Sequence, residues 1–372
     1  MNIKERAPVA REFTRYSSAR SRFLEAAQRL GASFESYENP MGDREEPLVT
    51  DVAVFGEDNA ERALLVISGT HGLEGPAGSA AQSAWLENRN STGLPSGIRL
   101  VFIHALNPWG FARMSRTTED NIDLNRNFVD FERSLPGNER YPEIHAIACP
   151  EHYDEKVVER ITEGLKAYAE QHGYEALTNG LGGGQYTHAD GLHYGGRGKA
   201  WSRKVLEEVI ERHLAGVPRV GVIDWHTGRG DYAEPFFLCF SSPGSETYRL
   251  AIDWWGEEAI LRKDEIGAAY EGEAPPPRSG LLFSGIEAAL GEESDTVGAV
   301  IEFGTYEPER VIRAELIDRF LKFGTVDESL RPQLRATMIE AFCPNDARWR
   351  SAVEAHGLEI TEQAVEGLKR WP

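Results

Sequence analysis

The chain has 372 residues, 41% of them hydrophobic, with 60 acidic against 40 basic side chains and a formal net charge of −20. That length and apolar share are enough for a large buried core. So acidic a chain, with no standout cluster of Lys and Arg, makes a poor nucleic-acid binder, because phosphate backbones reward basic clusters.

Cys149, Cys239 and Cys343 are far apart and odd in number, so they form neither a CxxC pair nor a disulfide framework. Residues 1–22 are polar and contain five arginines, with no apolar stretch long enough for a signal peptide. No run approaches the length of a membrane span. The expected location is the cytoplasm, with no membrane partner.

Taken in chain order, Phe23, Leu24, Ala27 and Leu30 recur at helical spacing over residues 17–31. Residues 48–55 alternate like a strand. Residues 63–68 are a continuous apolar run, which suits a strand buried on both faces. Residues 76–87 read as a helix with Pro76 in its first turn. A strand is expected at 98–106, and amphipathic helices at 155–172 and 201–214. Strands follow at 220–225 and 236–240, a helix at 245–262, a strand at 299–303 and a helix at 309–323. The tail from Pro332 onward reads as helical.

Alternating strands and helices predict a three-layer α/β/α fold around a mixed, mostly parallel twisted sheet. No repeat and no clear linker divides the chain. One domain over 1–372 is expected, with the helical tail, about 330–372, packed on it. Two stretches read as long loops, 179–198 with eight glycines and 272–285 with Pro275-Pro276-Pro277.

In such sheets the ligand site lies outside the carboxyl ends of the strands. His71, Asn107 and His226 fall just after expected strands, and Glu302 lies late in one. The motif His71-Gly72-Leu73-Glu74 lets a His leaving a strand and a Glu entering a helix bend back onto one ion. Two imidazoles and one carboxylate make a ligand set for a catalytic zinc with an open position for water. A further carboxylate on a different strand can take a proton from that water.

About fifty residues on lies Asp123-Leu124-Asn125-Arg126-Asn127. Arg126 can form a bidentate pair with a carboxylate, and Asn125 can add an amide donor. Asp123 can accept the second ring N–H of a metal-bound His and hold its tautomer. Arg229, three residues after His226, is a candidate substrate contact. His188 and His193, five apart in the glycine-rich loop, read as hydrogen-bonding residues more readily than as a second metal site. The run 180–184 is not GxGxxG, and no GxSxG occurs, which argues against a dinucleotide site and a serine hydrolase.

This order of motifs resembles the zinc carboxypeptidase superfamily. Within it the compact motifs are similar to the succinylglutamate desuccinylase and aspartoacylase branch, and to a bacterial family of unassigned function near it. The resemblance covers roughly residues 50–325. It implies one zinc per chain held by His71, Glu74 and His226, with Glu302 as general base. It implies that Asn125 and Arg126 grip a free carboxylate on the substrate. The arginine that polarises the scissile carbonyl should lie shortly before Asp123, where Arg113 and Arg116 both qualify and Arg116 is nearer. The tyrosine that closes over substrate in carboxypeptidases has no clear counterpart, with Tyr270 and Tyr306 as candidates. The glycine-rich loop matches nothing in the peptidases and is expected to shape a private pocket.

The expected function is therefore a zinc-dependent amide hydrolase acting on a small molecule or short peptide with a free carboxylate. It is either an N-acyl-amino-acid deacylase or a carboxypeptidase. A homo-oligomer is left open. The rivals are a catalytically silent zinc-binding module of the same fold and a non-haem iron oxygenase. The oxygenase leaves Glu302, Asn125 and Arg126 without a role.

Overall fold

The computed structural model describes residues 13–239, 241–260 and 279–372. Tyr270 and the first half of the expected loop, with Pro275-Pro276-Pro277, lie outside these residues.

Seven strands form one sheet: β1 Ser33–Glu38, β2 Val49–Phe55, β3 Arg62–Ser68, β4 Arg99–His104, β5 Arg219–Thr227, β6 Pro235–Cys239 and β7 Asp295–Phe303, in the order β1-β2-β4-β3-β5-β7-β6. The β4–β3, β3–β5 and β5–β7 ladders are parallel, and the β1–β2, β2–β4 and β7–β6 ladders are antiparallel. Five of the seven strands therefore point the same way, and only β2 and β6 are reversed. The central strands are buried on both faces, as the unbroken apolar run of β3 requires.

Helices cover both faces. Leu64, Val66, Phe102, Ile223 and Trp225 pack with Phe23, Trp85, Trp254 and Val365 from the Tyr16–Arg29, Gly75–Thr92, Glu246–Trp255 and Ala347–Arg370 helices. Their strand neighbours Ala63, Leu65, Ile67, Ile103 and Val222 pack on the opposite face with Leu206 and Ile286 from the Trp201–His213 and Leu282–Leu290 helices. This alternation by strand parity makes the three-layer core. A third apolar cluster joins the Pro108–Arg113, Tyr141–Ala148, Val157–His172, Pro308–Phe323 and Arg331–Phe342 helices.

Several boundaries differ from expectation. The strand β1 was not expected, because SFESYE is an exposed sequence at the sheet edge. The 179–198 loop begins later, since Tyr174–Gly182 is helical. Residues 282–285, assigned to the other loop, open the Leu282–Leu290 helix. The 245–262 helix is broken after Trp255, where Gly256 takes φ +92°, and residues 257–260 are helical again. His226 lies inside β5 rather than after it. The tail is two helices, and Gly357 in the second meets Ala81 so closely that a Cβ would not fit.

His104, at the end of β4, is fully buried and stacked on Phe23, with Nε2 on Ser79 Oγ at 2.8 Å and Nδ1 without a partner. Burial pulls its pKa down to about 4. Between that value and an unfolded value of about 6.5, only the unfolded chain takes up the proton, so stability falls as pH falls. The shift corresponds to about 3 kcal/mol, lost between roughly pH 6.5 and 4. Urea unfolding of wild type and His104→Gln across this range should show a shallower acid slope in the variant. Parallel slopes would remove His104 as the cause.

Candidate metal centre

Register brings the ligand-bearing strand ends together. Ser68 pairs with Trp225 across β3–β5, and His226 pairs with Glu302 across β5–β7. After β3 the chain turns through His71 into the short Gly72–Glu74 helical turn, which leads into the Gly75–Thr92 helix. Gly72 is required there, because a Cβ would collide with the backbone of Gly110 and Phe111.

Glu74 lies between the two imidazoles. Its Oε1 is 2.9 Å from His71 Nδ1, and its Oε2 is 2.9 Å from His226 Nδ1. Oε2 also accepts the Thr227 N–H at 3.0 Å. The outer ring nitrogens meet carboxylates as well. His71 Nε2 is 3.1 Å from Asp123 Oδ1, and His226 Nε2 is 2.8 Å from Asp224 Oδ2. All five side chains are 4% exposed or less.

This arrangement tests whether a metal fits. A neutral imidazole has one N–H, and a carboxylate only accepts. With each Nε2–H given to Asp123 or Asp224, each Nδ1 lone pair faces a Glu74 oxygen, acceptor against acceptor. A cation must stand between them, either a proton on each ring or one metal ion. The three inner ligand groups lie within 4.8 Å of one another and form the one such group of three among the described residues. Two imidazoles and a carboxylate suit zinc, and the outer carboxylates are the usual partners that orient zinc-bound histidines.

The same contacts set the charge states of these groups. Burial would raise the Glu74 carboxyl, but His71 and His226 outweigh it and hold it well below the carboxylate range. Burial would lower His226, but Asp224 and Glu74 hold it well above the imidazole range. Asp123 is kept well below its ordinary value against burial, chiefly by Arg116 and His71.

Glu302 is buried, with Oε1 3.7 Å from the half-exposed Arg229 and Oε2 making no hydrogen bond among the described residues. Burial first, and the neighbouring Glu74 charge second, push its carboxyl up to about 7.

Arg116 comes to the site and Arg113 does not. Arg116 reaches Glu74 and Asp123 at 3.3 Å each and Glu315 at 3.4 Å, whereas Arg113 pairs with Glu46 among exposed side chains. The turn Leu124–Arg126 is capped by Asp123, which accepts the Asn125 N–H at 2.9 Å. Asn125 Oδ1 accepts the Leu282 N–H at 3.2 Å.

Arg126 is 4% exposed, and among the described residues its guanidinium donates only to the Asn125 and Gly182 carbonyls, at 2.6 and 2.8 Å, leaving Nε unpaired. Among the described residues no carboxylate pairs with it. Burial lowers its pKa, with Asp123 partly offsetting the effect. The glycine-rich loop encloses it, since Tyr186 Oη donates to the Arg126 carbonyl at 2.7 Å. Gly280, at φ +75°, approaches that carbonyl too closely for any Cβ.

Tyr306 instead donates to Glu340 Oε1 at 2.6 Å and lies under Arg310. Asn107 caps the Pro108–Arg113 helix by accepting the Gly110 N–H. His188 and His193 diverge. His188 contacts Thr187 and the His145 ring, while His193 Nδ1 is 3.3 Å from Asp123 Oδ2 and its Nε2 is 4.0 Å from Glu315.

The place of three residues at the site escapes sequence reasoning, although His193 reads as a hydrogen-bonding residue. Asp224 sits two residues before His226, and strand parity alone would have placed both on one face. His193 and Glu315 carry no local signal, because their partner Asp123 is reached only through the fold.

The fold and site together define an α/β protein with a buried two-histidine, one-carboxylate centre at the carboxyl edge of its sheet. The model of the family DUF2817, described as proteins of unknown function, matches residues 13–356, and the chain belongs to that family. No curated protein matches it. Similar solved structures include carboxypeptidase A from Helicoverpa armigera, at 11% identity and TM-score 0.43, covering 93% of this chain and 74% of that one. A candidate metallopeptidase from Shewanella amazonensis gives 17% identity and TM-score 0.40, covering 89% and 95%. Bovine thrombin-activatable fibrinolysis inhibitor gives 13% and 0.41, covering 92% and 97%. Among the described residues no helix is long and apolar enough to cross a membrane.

Proposed function

We propose that the protein is a zinc-dependent amide hydrolase acting on a small substrate with a free carboxylate, either an N-acyl amino acid or a short peptide. The observation that carries this reading is the pair of Nδ1 atoms converging on Glu74 while Asp123 and Asp224 hold the opposite ring nitrogens. A zinc ion bound there supplies Lewis acidity and an activated water.

The chain's residues do the rest. His71, Glu74 and His226 hold the ion. Glu302, beside His226 in the sheet, takes the proton at its unpartnered Oε2 and returns it to the leaving amine. Arg116 supplies positive charge for the oxyanion. Asn125 and Arg126 bind the carboxylate, and Arg229, beside Glu302, lies where it can meet a substrate. The test is amine release from a panel of N-acyl amino acids and short peptides by the zinc-loaded protein. Zinc uptake with no hydrolysis across the panel would instead make the chain a silent zinc-binding module.

The carboxylate claim rests on Arg126. A buried guanidinium that meets only carbonyls among the described residues is best completed by an anion. Arg126→Ala should cost carboxylate substrates roughly 2–5 kcal/mol in transition-state binding, while their amidated analogues, already poor, lose little more. The measurement is kcat/KM for matched acid and amide substrates in both proteins, a double-mutant cycle with the substrate as one partner. Equal losses would leave Arg126 a structural residue.

A further inference from the structure

Asp224 is a buried carboxylate that the reaction does not use. Its Oδ2 faces His226 Nε2 at 2.8 Å, and its Oδ1 accepts the Thr70 hydroxyl at 2.8 Å. Both Asp224 and Thr70 are buried, at 2% and 0% exposure. Burying a carboxylate is costly unless something is gained from its placement.

Two consequences follow from the connectivity. Asp224 and His226 are alternate residues of β5, so they share a face of the strand, and the ring N–H at Nε2 must be the donor because a carboxylate only accepts. That fixes the tautomer and leaves the Nδ1 lone pair towards Glu74. Thr70, in turn, is covalently next to His71. Its hydroxyl therefore ties the segment that carries one imidazole to the strand that carries the other, whose ring centroids lie 4.8 Å apart. His71 gains nothing equivalent from Asp224 directly, since its own outer nitrogen rests on Asp123.

We infer that Thr70 and Asp224 form a buried strut that positions His226 and sets its spacing from His71, so that metal affinity, not only turnover, depends on both. This rests on the metal reading above. Both are positioning residues, acting through the ligands.

The experiment measures the zinc dissociation constant by competition with a chromophoric chelator. It compares wild type, Asp224→Asn, Thr70→Val and the double variant, with thermal unfolding of each metal-free protein and the Co2+ absorption spectrum of each loaded one. An asparagine amide at position 224 either donates to Nε2, which moves the proton to Nδ1 and blocks coordination, or accepts from it as a neutral and weaker partner than the carboxylate. Asp224→Asn should weaken zinc binding by about 10–100-fold and alter the Co2+ bands, as loss of an outer carboxylate partner typically does. Thr70→Val should weaken it several-fold. The double variant should lose less than the product of the two, since one strut is broken only once. Dissociation constants within twofold of wild type for Asp224→Asn overturn the inference. If Asp224→Asn does not fold, an unchanged constant for the near-isosteric Thr70→Val overturns it. A wild-type protein that binds no zinc is a different failure, because it removes the metal reading itself.

Discussion

Glu302→Gln is expected to keep its zinc and lose about two orders of magnitude or more in kcat. The substitution preserves shape, and position 302 supplies none of the three ligand atoms, so metal content should match wild type. What it removes is the capacity to accept a proton. In the folded protein burial and the nearby Glu74 charge push this carboxyl up to about 7, into the range where a base is most effective near neutral pH. The active form of a base is the anion. Activity is therefore present above the carboxyl's pKa and lost as pH falls through it, and a cation on the neighbouring ligands draws that limb below 7. The wild-type kcat/KM profile should show this acid limb, and Glu302→Gln should flatten it at a low rate. Near-normal kcat in the variant would make Glu302 a structural residue.

Much of the fold is legible because the central strands are buried on both faces, which leaves apolar runs such as 63–68 with no polar alternative. The edge strand β1 hides for the opposite reason, since residues that face solvent need no apolar pattern. The end of β5 was also hidden. His226 reads as lying just after the strand expected at 220–225, but β5 continues through it to Thr227, with both ring nitrogens held by Glu74 and Asp224. The grouping of His71, Glu74 and His226 was readable because both histidines follow strong strand signals and Glu74 comes three residues after the first. Between Arg113 and Arg116 only burial decides, and burial depends on the fold. The glycine-rich loop gave no sign that it encloses Arg126 or delivers His193 to Asp123, a contact spanning 70 residues.

His71→Ala and His226→Ala are each expected to abolish stoichiometric zinc binding, because each removes one of three protein ligands. The two losses should not look alike in the metal-free proteins. Removing His226 strips Asp224 of its imidazole partner and leaves a buried carboxylate whose remaining partner among the described residues is the Thr70 hydroxyl. Breaking a buried pair in this way costs about 3 kcal/mol or more. Removing His71 is milder, since Asp123 still faces Arg116, His193 and the Asn125 N–H. The control is therefore metal-stripped wild type, whose unfolding midpoint sets the baseline for each variant. Zinc at about 1,000 times its dissociation constant should stabilise wild type by about 4 kcal/mol, because it binds only the folded state. The same addition should leave both variants unmoved, and elemental analysis should find less than one ion per chain in each. Undiminished zinc in both, with the wild-type gain in midpoint, would mean that the ion sits elsewhere. The Nδ1 atoms around Glu74 would then be held by protons alone.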